Sequence, residues 1–182
     1  MTLLRIDNLK VSYGAVEALK GISLEVGAGE IVALGAGVTG LQVGQRVMGR
    51  CPAAFSEYAV MDAREAMTVP AGLPMEVAAV VPLTFLVVHD MLALQGRLKA
   101  GEWLLVAGVS SGVGVASLQA AKALGARVIG TSGSPDKLAR LQALGLDVAI
   151  ATRAPDFAAQ VMEATGGHGV DLVVNTVGGS VF

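Results

Sequence analysis

The stretch with the clearest chemical potential is Gly108-Val-Ser-Ser-Gly-Val-Gly114, which follows the apolar run Trp103-Leu-Leu-Val-Ala107 and opens an alanine-rich segment. Small residues between a buried strand and a helix let the backbone approach a pyrophosphate, whose charge meets free amides and the positive helix end. Set against the pattern G-x-G-x-x-G, the positions are Val109, Ser111 and Gly114, so only the last matches. A close-packed strand-to-helix turn with no ligand is the alternative reading. A dinucleotide fold also needs a second strand whose end, about 20 residues on, meets the adenosine ribose. That end is Thr131-Ser-Gly-Ser134, which lacks the acid that binds a 2′-hydroxyl. Its hydroxyls, with Lys137 close by and Arg153 after the next strand, could hold a 2′-phosphate, which favours NADP over NAD. The alternative for both cations is solvated surface charge.

Other chemistry is sparse. Cys51 is the single cysteine, and His89 and His168 are far from it and from each other, so no thiolate-rich zinc site is expected and no metal is assigned. A single cysteine fits a reducing cytoplasm. Thirteen Lys and Arg against fifteen Asp and Glu give a net charge of −2, with no basic stretch to neutralise a nucleic-acid backbone. Residues 103–121 form an uncharged run of membrane-spanning length, but glycines and serines interrupt it, and Val77–Val88 contains Pro82; no membrane insertion is expected. The N-terminus lacks a basic segment followed by an apolar core, so no secretion signal is read.

These residues need a scaffold, and 182 residues with 53% hydrophobic, 4% aromatic and 24 glycines suit an α/β domain of buried strands and tight turns. Up to about residue 68 the chain reads as β-rich. Strand-like runs end in turns at Ser12-Tyr-Gly14 and Gly27-Ala-Gly29, and further strands are expected at Glu30–Leu34, Gly44–Gly49 and Tyr58–Val60. Helices follow over Met75–Gln95. Beyond Lys99 comes a regular βαβαβαβ series: strands Trp103–Ala107, Arg127–Thr131, Val148–Ala151 and Val170–Asn175, with helices Gly112–Leu124, Pro135–Leu144 and Pro155–Ala164 between them. Ser134, Pro135 and Asp136 open the second of these helices, Gly145 ends it, and Leu138, Leu141 and Leu144 are expected to face a parallel sheet.

From about Gly29 onward the sequence resembles the medium-chain dehydrogenase/reductase superfamily, most closely its zinc-independent, NADPH:quinone oxidoreductase-like branch. The resemblance rests on Gly35-Ala-Gly-Val-Thr-Gly-Leu-Gln-Val-Gly-Gln-Arg-Val-Met-Gly49, Phe55-Ser-Glu-Tyr-Ala-Val60, Ala78-Ala-Val-Val-Pro-Leu-Thr84, Gly108–Gly114 with Lys122-Ala-Leu-Gly-Ala126, and Val170-Asp-Leu-Val-Val-Asn-Thr-Val-Gly-Gly179. It implies a partial Rossmann fold over 81–182, preceded by a β-rich remnant of a GroES-like catalytic domain over 29–80. It also implies hydride transfer from NADPH to a small-molecule quinone, enone or carbonyl acceptor. By the same resemblance Ser110, Ser111, Gly112, Val113 and Gly114 would cradle the pyrophosphate, Ser132 and Lys137 the 2′-phosphate, and Arg153 the adenosine end. Thr84 and the turn Asn175–Gly178, with Val177, would lie near the nicotinamide. Tyr58 belongs to an ordinary strand in this pattern, and no catalytic residue is assigned.

Residues 1–28 depart from it. Leu3-Leu-Arg-Ile-Asp through Leu34 looks like the opening of an ABC-transporter ATP-binding subunit of the branched-chain amino-acid type, where Tyr13 would stack on adenine. Gly35-Ala-Gly-Val-Thr-Gly40 stands where a P-loop would be, and no Gly-Lys pair occurs, so ATP hydrolysis is not expected. The whole reads as a truncated chimera joined near 29–36, with the fourth strand of its sheet as a bare edge open to self-association or dimerisation. An ATP-binding fragment and a non-catalytic fusion fragment are the competing functional readings.

Overall fold

The computed structural model describes residues 9–13, 16–22 and 26–178, with side chains from 28 to 178. The chain divides into two compact units, Met1–Leu83 and Thr84–Phe182.

In the first unit β1 (Leu9–Tyr13) and β2 (Val16–Ile22) pair antiparallel. Strands β3 (Val26–Glu30), β4 (Arg46–Arg50) and β5 (Met67–Thr68) form a separate antiparallel sheet in that order. Three expectations need correction here. Gly27-Ala-Gly29 does not break the run; it lies inside β3 opposite Gly49, Met48 and Val47, because glycine weakens a ladder without removing its hydrogen bonds. The strand expected over Glu30–Leu34 ends at Glu30, apart from two further bonds at Ile31, whose N donates to Gln45 O at 3.0 Å and whose O accepts from Gly44 N at 2.8 Å. Tyr58-Ala-Val60 is not a strand: Tyr58 is 74% and Val60 89% exposed, and alternation without a pairing partner cannot hold extended chain. Met48, Val69 and Ala78 form the small core of this unit, the last from helix α1 (Met75–Ala78).

Helix α2 (Val81–His89) continues into one π-helical turn, Asp90–Gln95. The second unit then alternates β6 (Trp103–Ala107), α3 (Gly112–Ala123), β7 (Arg127–Ser132), α4 (Pro135–Gln142), β8 (Val148–Ala151), α5 (Ala158–Ala164) and β9 (Leu172–Asn175). The strands are parallel in the order β8-β7-β6-β9, so the α/β class holds, and among the described residues so does the bare fourth strand. Leu104 and Val106 point to one face, into a core with Leu118, Ala121, Leu138 and Leu141. Leu105, Ile129 and Ile150 point to the other, where Val161 of α5 covers them. Helices on both faces explain why strands such as Leu-Leu-Val-Ala are apolar throughout.

Polar side chains fix the entry ends of the strands. Asp171 accepts from Trp103 N at 2.7 Å, and Asp147 accepts from Val128 N at 2.7 Å and from Lys122 Nζ at 2.8 Å. Ser134 caps α4 through Lys137 N, and Gly145 takes φ +92° as expected. Leu144 does not face the sheet. It lies past the end of α4, 47% exposed, and Leu146 fills the core position instead. Among the described residues no helix is long and apolar enough to cross a membrane.

Candidate nucleotide site

The register of the parallel sheet brings Ala107, Thr131 and Asn175 level at the exit ends of β6, β7 and β9. The glycine-rich turn leaves β6 at that point and is tied to β7 at once. Gly108 N donates to Thr131 Oγ1 at 3.2 Å and Val109 N to Thr131 O at 2.9 Å. Gly108 holds φ +74°, a conformation that side chains rarely adopt. Ser111 is the N-cap of α3, its Oγ accepting from Gly114 N at 3.1 Å.

That capping leaves the amides of Gly112 and Val113 with no acceptor among the described residues. They are the free donors at a helix start to which an anion binds. The two glycines of the turn differ in their surroundings. A methyl group on Gly112 would meet nothing within 4 Å, whereas one on Gly114 would press on Gly108 O at 2.5 Å and Val109 C at 2.7 Å. The first is bare on the solvent side, where a phosphate could approach the backbone; the second is bare because helix and turn touch there. A pyrophosphate therefore fits this cradle on both donor chemistry and space.

At the end of β7, Ser132 is buried, and its Oγ lies 2.8 Å from Ser110 Oγ and accepts from Ser134 N at 3.3 Å. Lys137 is exposed in the first turn of α4, beside the acidic Asp136. Arg153 follows β8, and its side chain crosses over Gly133. Neither cation forms an ion pair among the described residues. After β9, Asn175 Oδ1 accepts from Val177 N at 3.0 Å and Gly178 N at 3.1 Å, and Val177 packs beside Gly108.

Ser110, Ser111, Gly112, Val113, Gly114, Ser132, Lys137, Arg153, Asn175 and Val177 thus stand on segments that leave one end of one sheet or on the first turn of a following helix. Thr84 does not join them through any described hydrogen bond; it lies half-buried on α2. Two contributors escaped the sequence reading. Thr131 acts as the peg for the glycine-rich turn, and Gly133 provides the surface that Arg153 crosses. The run Thr131-Ser-Gly-Ser134 pointed to hydroxyl chemistry, but a hydroxyl serving another loop's backbone leaves no trace in spacing. The described residues contain no group of three His, Cys, Asp or Glu side chains able to hold a metal.

A parallel sheet with helices on both faces and free amides at the helix start that follows its first strand is the arrangement in which α/β folds bind nucleotides. Residues 112–182 match the model of the zinc-binding dehydrogenase family. Over 182 residues the chain is 33% identical to a phenolphthiocerol/phthiocerol polyketide synthase of Mycobacterium tuberculosis, covering 98% of this chain and 8% of the synthase. Among solved structures it is similar to the CurK enoyl reductase (TM-score 0.78, 33% identity, 89% of this chain and 48% of that one). It is also similar to a quinone oxidoreductase from Pseudomonas syringae pv. Tomato DC3000 (TM-score 0.74, 33% identity, 88% and 50%). A third is a mycobacterial protein complexed with NADPH (TM-score 0.75, 34% identity, 85% and 49%). The chain spans about half the length of these solved chains. The synthase alignment takes in almost the whole chain, and the transporter-like reading of residues 1–28 gains no support from any of these similarities. The structure of residues 1–8, and the side chain of Tyr13, lie outside what is described.

Proposed function

We propose that the second unit binds NADPH and that the chain is part of a reductase delivering hydride to a carbon–carbon double bond conjugated to a carbonyl. The observation that carries this is the pair of free amides at Gly112 and Val113 beside an unobstructed glycine. In this reading Ser110–Gly114 hold the pyrophosphate, Ser132, Lys137 and Arg153 the adenosine 2′-phosphate, and Asn175 and Val177 border the nicotinamide; Thr84 is retained there from the sequence resemblance alone. Bound NADPH supplies the hydride, while the chain's own residues bind, orient and exclude water. An enoyl acceptor is favoured over a quinone by the synthase and enoyl reductase similarities, and the quinone oxidoreductase similarity keeps quinones as the second reading. Residues 29–80 are assigned to the catalytic domain, 81–182 to the nucleotide domain, and the cytoplasm is the proposed location.

Thermal unfolding with NADPH, NADH and ATP tests this. NADPH at about 100 times its dissociation constant should stabilise by about 2.7 kcal/mol, or about 5 to 10 °C. NADH should shift the melt less and ATP not at all. No shift with NADPH overturns the cofactor reading, and a shift with ATP alone returns the transporter one. Oxidation of NADPH by a crotonyl thioester against 1,2-naphthoquinone separates the two acceptors.

We also propose self-association through β9. It is the outermost strand of its sheet among the described residues, Val173 is 52% exposed, and an open hollow of about 720 Å³ beside it is lined by Met91, Gln95, Gly96 and Leu172–Asn175. Light scattering at tens of micromolar should show a dimer or larger species that Val173→Lys abolishes. A monodisperse parent monomer contradicts the proposal.

A further inference from the structure

We infer that Gly133 is a positioning residue for Arg153, and that its missing side chain selects a dinucleotide carrying a 2′-phosphate over one without. The inference rests on the NADPH reading above.

Gly133 joins β7 to the N-cap of α4, and its φ is not among the positive values that demand glycine elsewhere in the chain. Backbone conformation therefore does not explain the residue; space does. A methyl group built on Gly133 would overlap Arg153 Nε and stand 2.5 Å from its Cγ and 3.0 Å from its Cδ. The arginine stem thus lies directly against the bare backbone. Both ends of this contact are anchored. Thr152 N donates to Ser132 O at 3.0 Å, Ala154 N donates to Thr152 Oγ1 at 2.9 Å, and Ser134 N donates to Ser132 Oγ at 3.3 Å. The loop after β8 is so pinned to the end of β7 that the route of the Arg153 side chain is set by the space over residue 133. A planar guanidinium held there can grip a phosphate through two parallel hydrogen bonds, and a lysine on α4 adds a point charge. An added methyl would meet only the stem of a flexible, exposed side chain. The fold would tolerate it, and Arg153 would move.

The test uses the full chain as parent, Gly133→Ala, Arg153→Ala and the double variant, with NADPH, NADH and adenosine 2′,5′-bisphosphate titrated by calorimetry. Arg153→Ala should weaken NADPH and the bisphosphate about tenfold, and Gly133→Ala about fivefold, with NADH changed less than about twofold by either. In the Arg153→Ala background the second substitution should add nothing, since both act through one side chain. Melting temperatures should stay with the parent. Equal losses for NADPH and NADH, or additive effects of the two substitutions, would overturn the inference while leaving the cofactor reading intact. A parent that binds neither dinucleotide overturns both.

Discussion

Alanine introduced at Gly114 and at Gly112, two residues apart in one helix, should move stability in opposite directions. Neither glycine has a positive φ, so alanine suits both backbones, and restricting the unfolded chain contributes about 0.4 to 1 kcal/mol of stabilisation at each. At Gly112 nothing lies within 4 Å of the new methyl, and that gain stands alone. At Gly114 the methyl would lie 2.5 Å from Gly108 O and 2.7 Å from Val109 C and Cα. Ordinary contact begins at 3.4 Å, so the turn must retreat by about 0.9 Å at Gly108 O and about 0.7 Å at Val109 from a helix that α3's packing holds in place. Backbone atoms have no rotamer to escape into, which puts the cost near the upper part of the overpacking range, about 2 to 3 kcal/mol. The net is a loss of about 1 to 2.6 kcal/mol for Gly114→Ala, a fall of about 2 to 10 °C in melting temperature for a chain of this length. Gly112→Ala should melt level with or up to about 4 °C above the parent, yet lose NADPH binding, because its methyl occupies the approach to the free amides. Differential scanning calorimetry with a parallel NADPH titration reads both quantities. A Gly114→Ala variant that melts at or above the parent would refute the close-contact argument. A Gly112→Ala variant that keeps full NADPH affinity would refute the assignment of the cradle.

Other consequences are open to direct measurement. Replacing Asp147 by alanine removes the acceptor of Val128 N and Lys122 Nζ, and leaving that backbone donor without a partner should cost about 1 to 3 kcal/mol in denaturant unfolding; an unchanged midpoint contradicts it. Leu104→Ala, at a fully buried position at the centre of the sheet, should cost about 2 to 5 kcal/mol by the same assay. Asp62 is held down to about 2, chiefly by hydrogen bonding to the Arg64 guanidinium and then to the Arg64 backbone amide. A lowered carboxyl pKa stabilises the fold above the unfolded value of 3.8 and loses that contribution as pH falls through 2. Carboxyl chemical shifts followed by NMR should therefore show Asp62 titrating near 2, and Arg64→Ala should return it most of the way toward 3.8; an Asp62 midpoint at the ordinary value would dismiss the pairing.

The second unit was largely legible in the sequence, and the first was not, for one physical reason. Strands of the parallel sheet are buried on both faces and separated by helices, so Trp103–Ala107 and Arg127–Ser132 announce themselves as apolar runs between capped helices. Capping chemistry is local, which is why Ser134, Pro135 and Gly145 marked the limits of α4 within a few residues. In the antiparallel sheet of the first unit, pairing decides. Gly27-Ala-Gly29 reads as a turn by composition, and becomes a strand only because Arg46–Arg50 lies opposite it. Tyr58-Ala-Val60 has better strand composition and remains unpaired.

The candidate site shows the same division at finer scale. Residues that offer their own backbone amides, such as Gly112 and Val113, are found from a strand, a turn and a helix in sequence order. Residues that work through each other are not: Ser110 meets Ser132 across 22 positions, and Arg153 crosses Gly133 across 20, only because β6, β7 and β8 lie side by side. The proposed pyrophosphate cradle is therefore a property of one loop, whereas the proposed selection of the 2′-phosphate is a property of the strand order. Substitutions that disturb the pairing of β7 with β8 should erode discrimination between NADPH and NADH before they erode dinucleotide binding itself. Those in the glycine-rich turn should abolish both together.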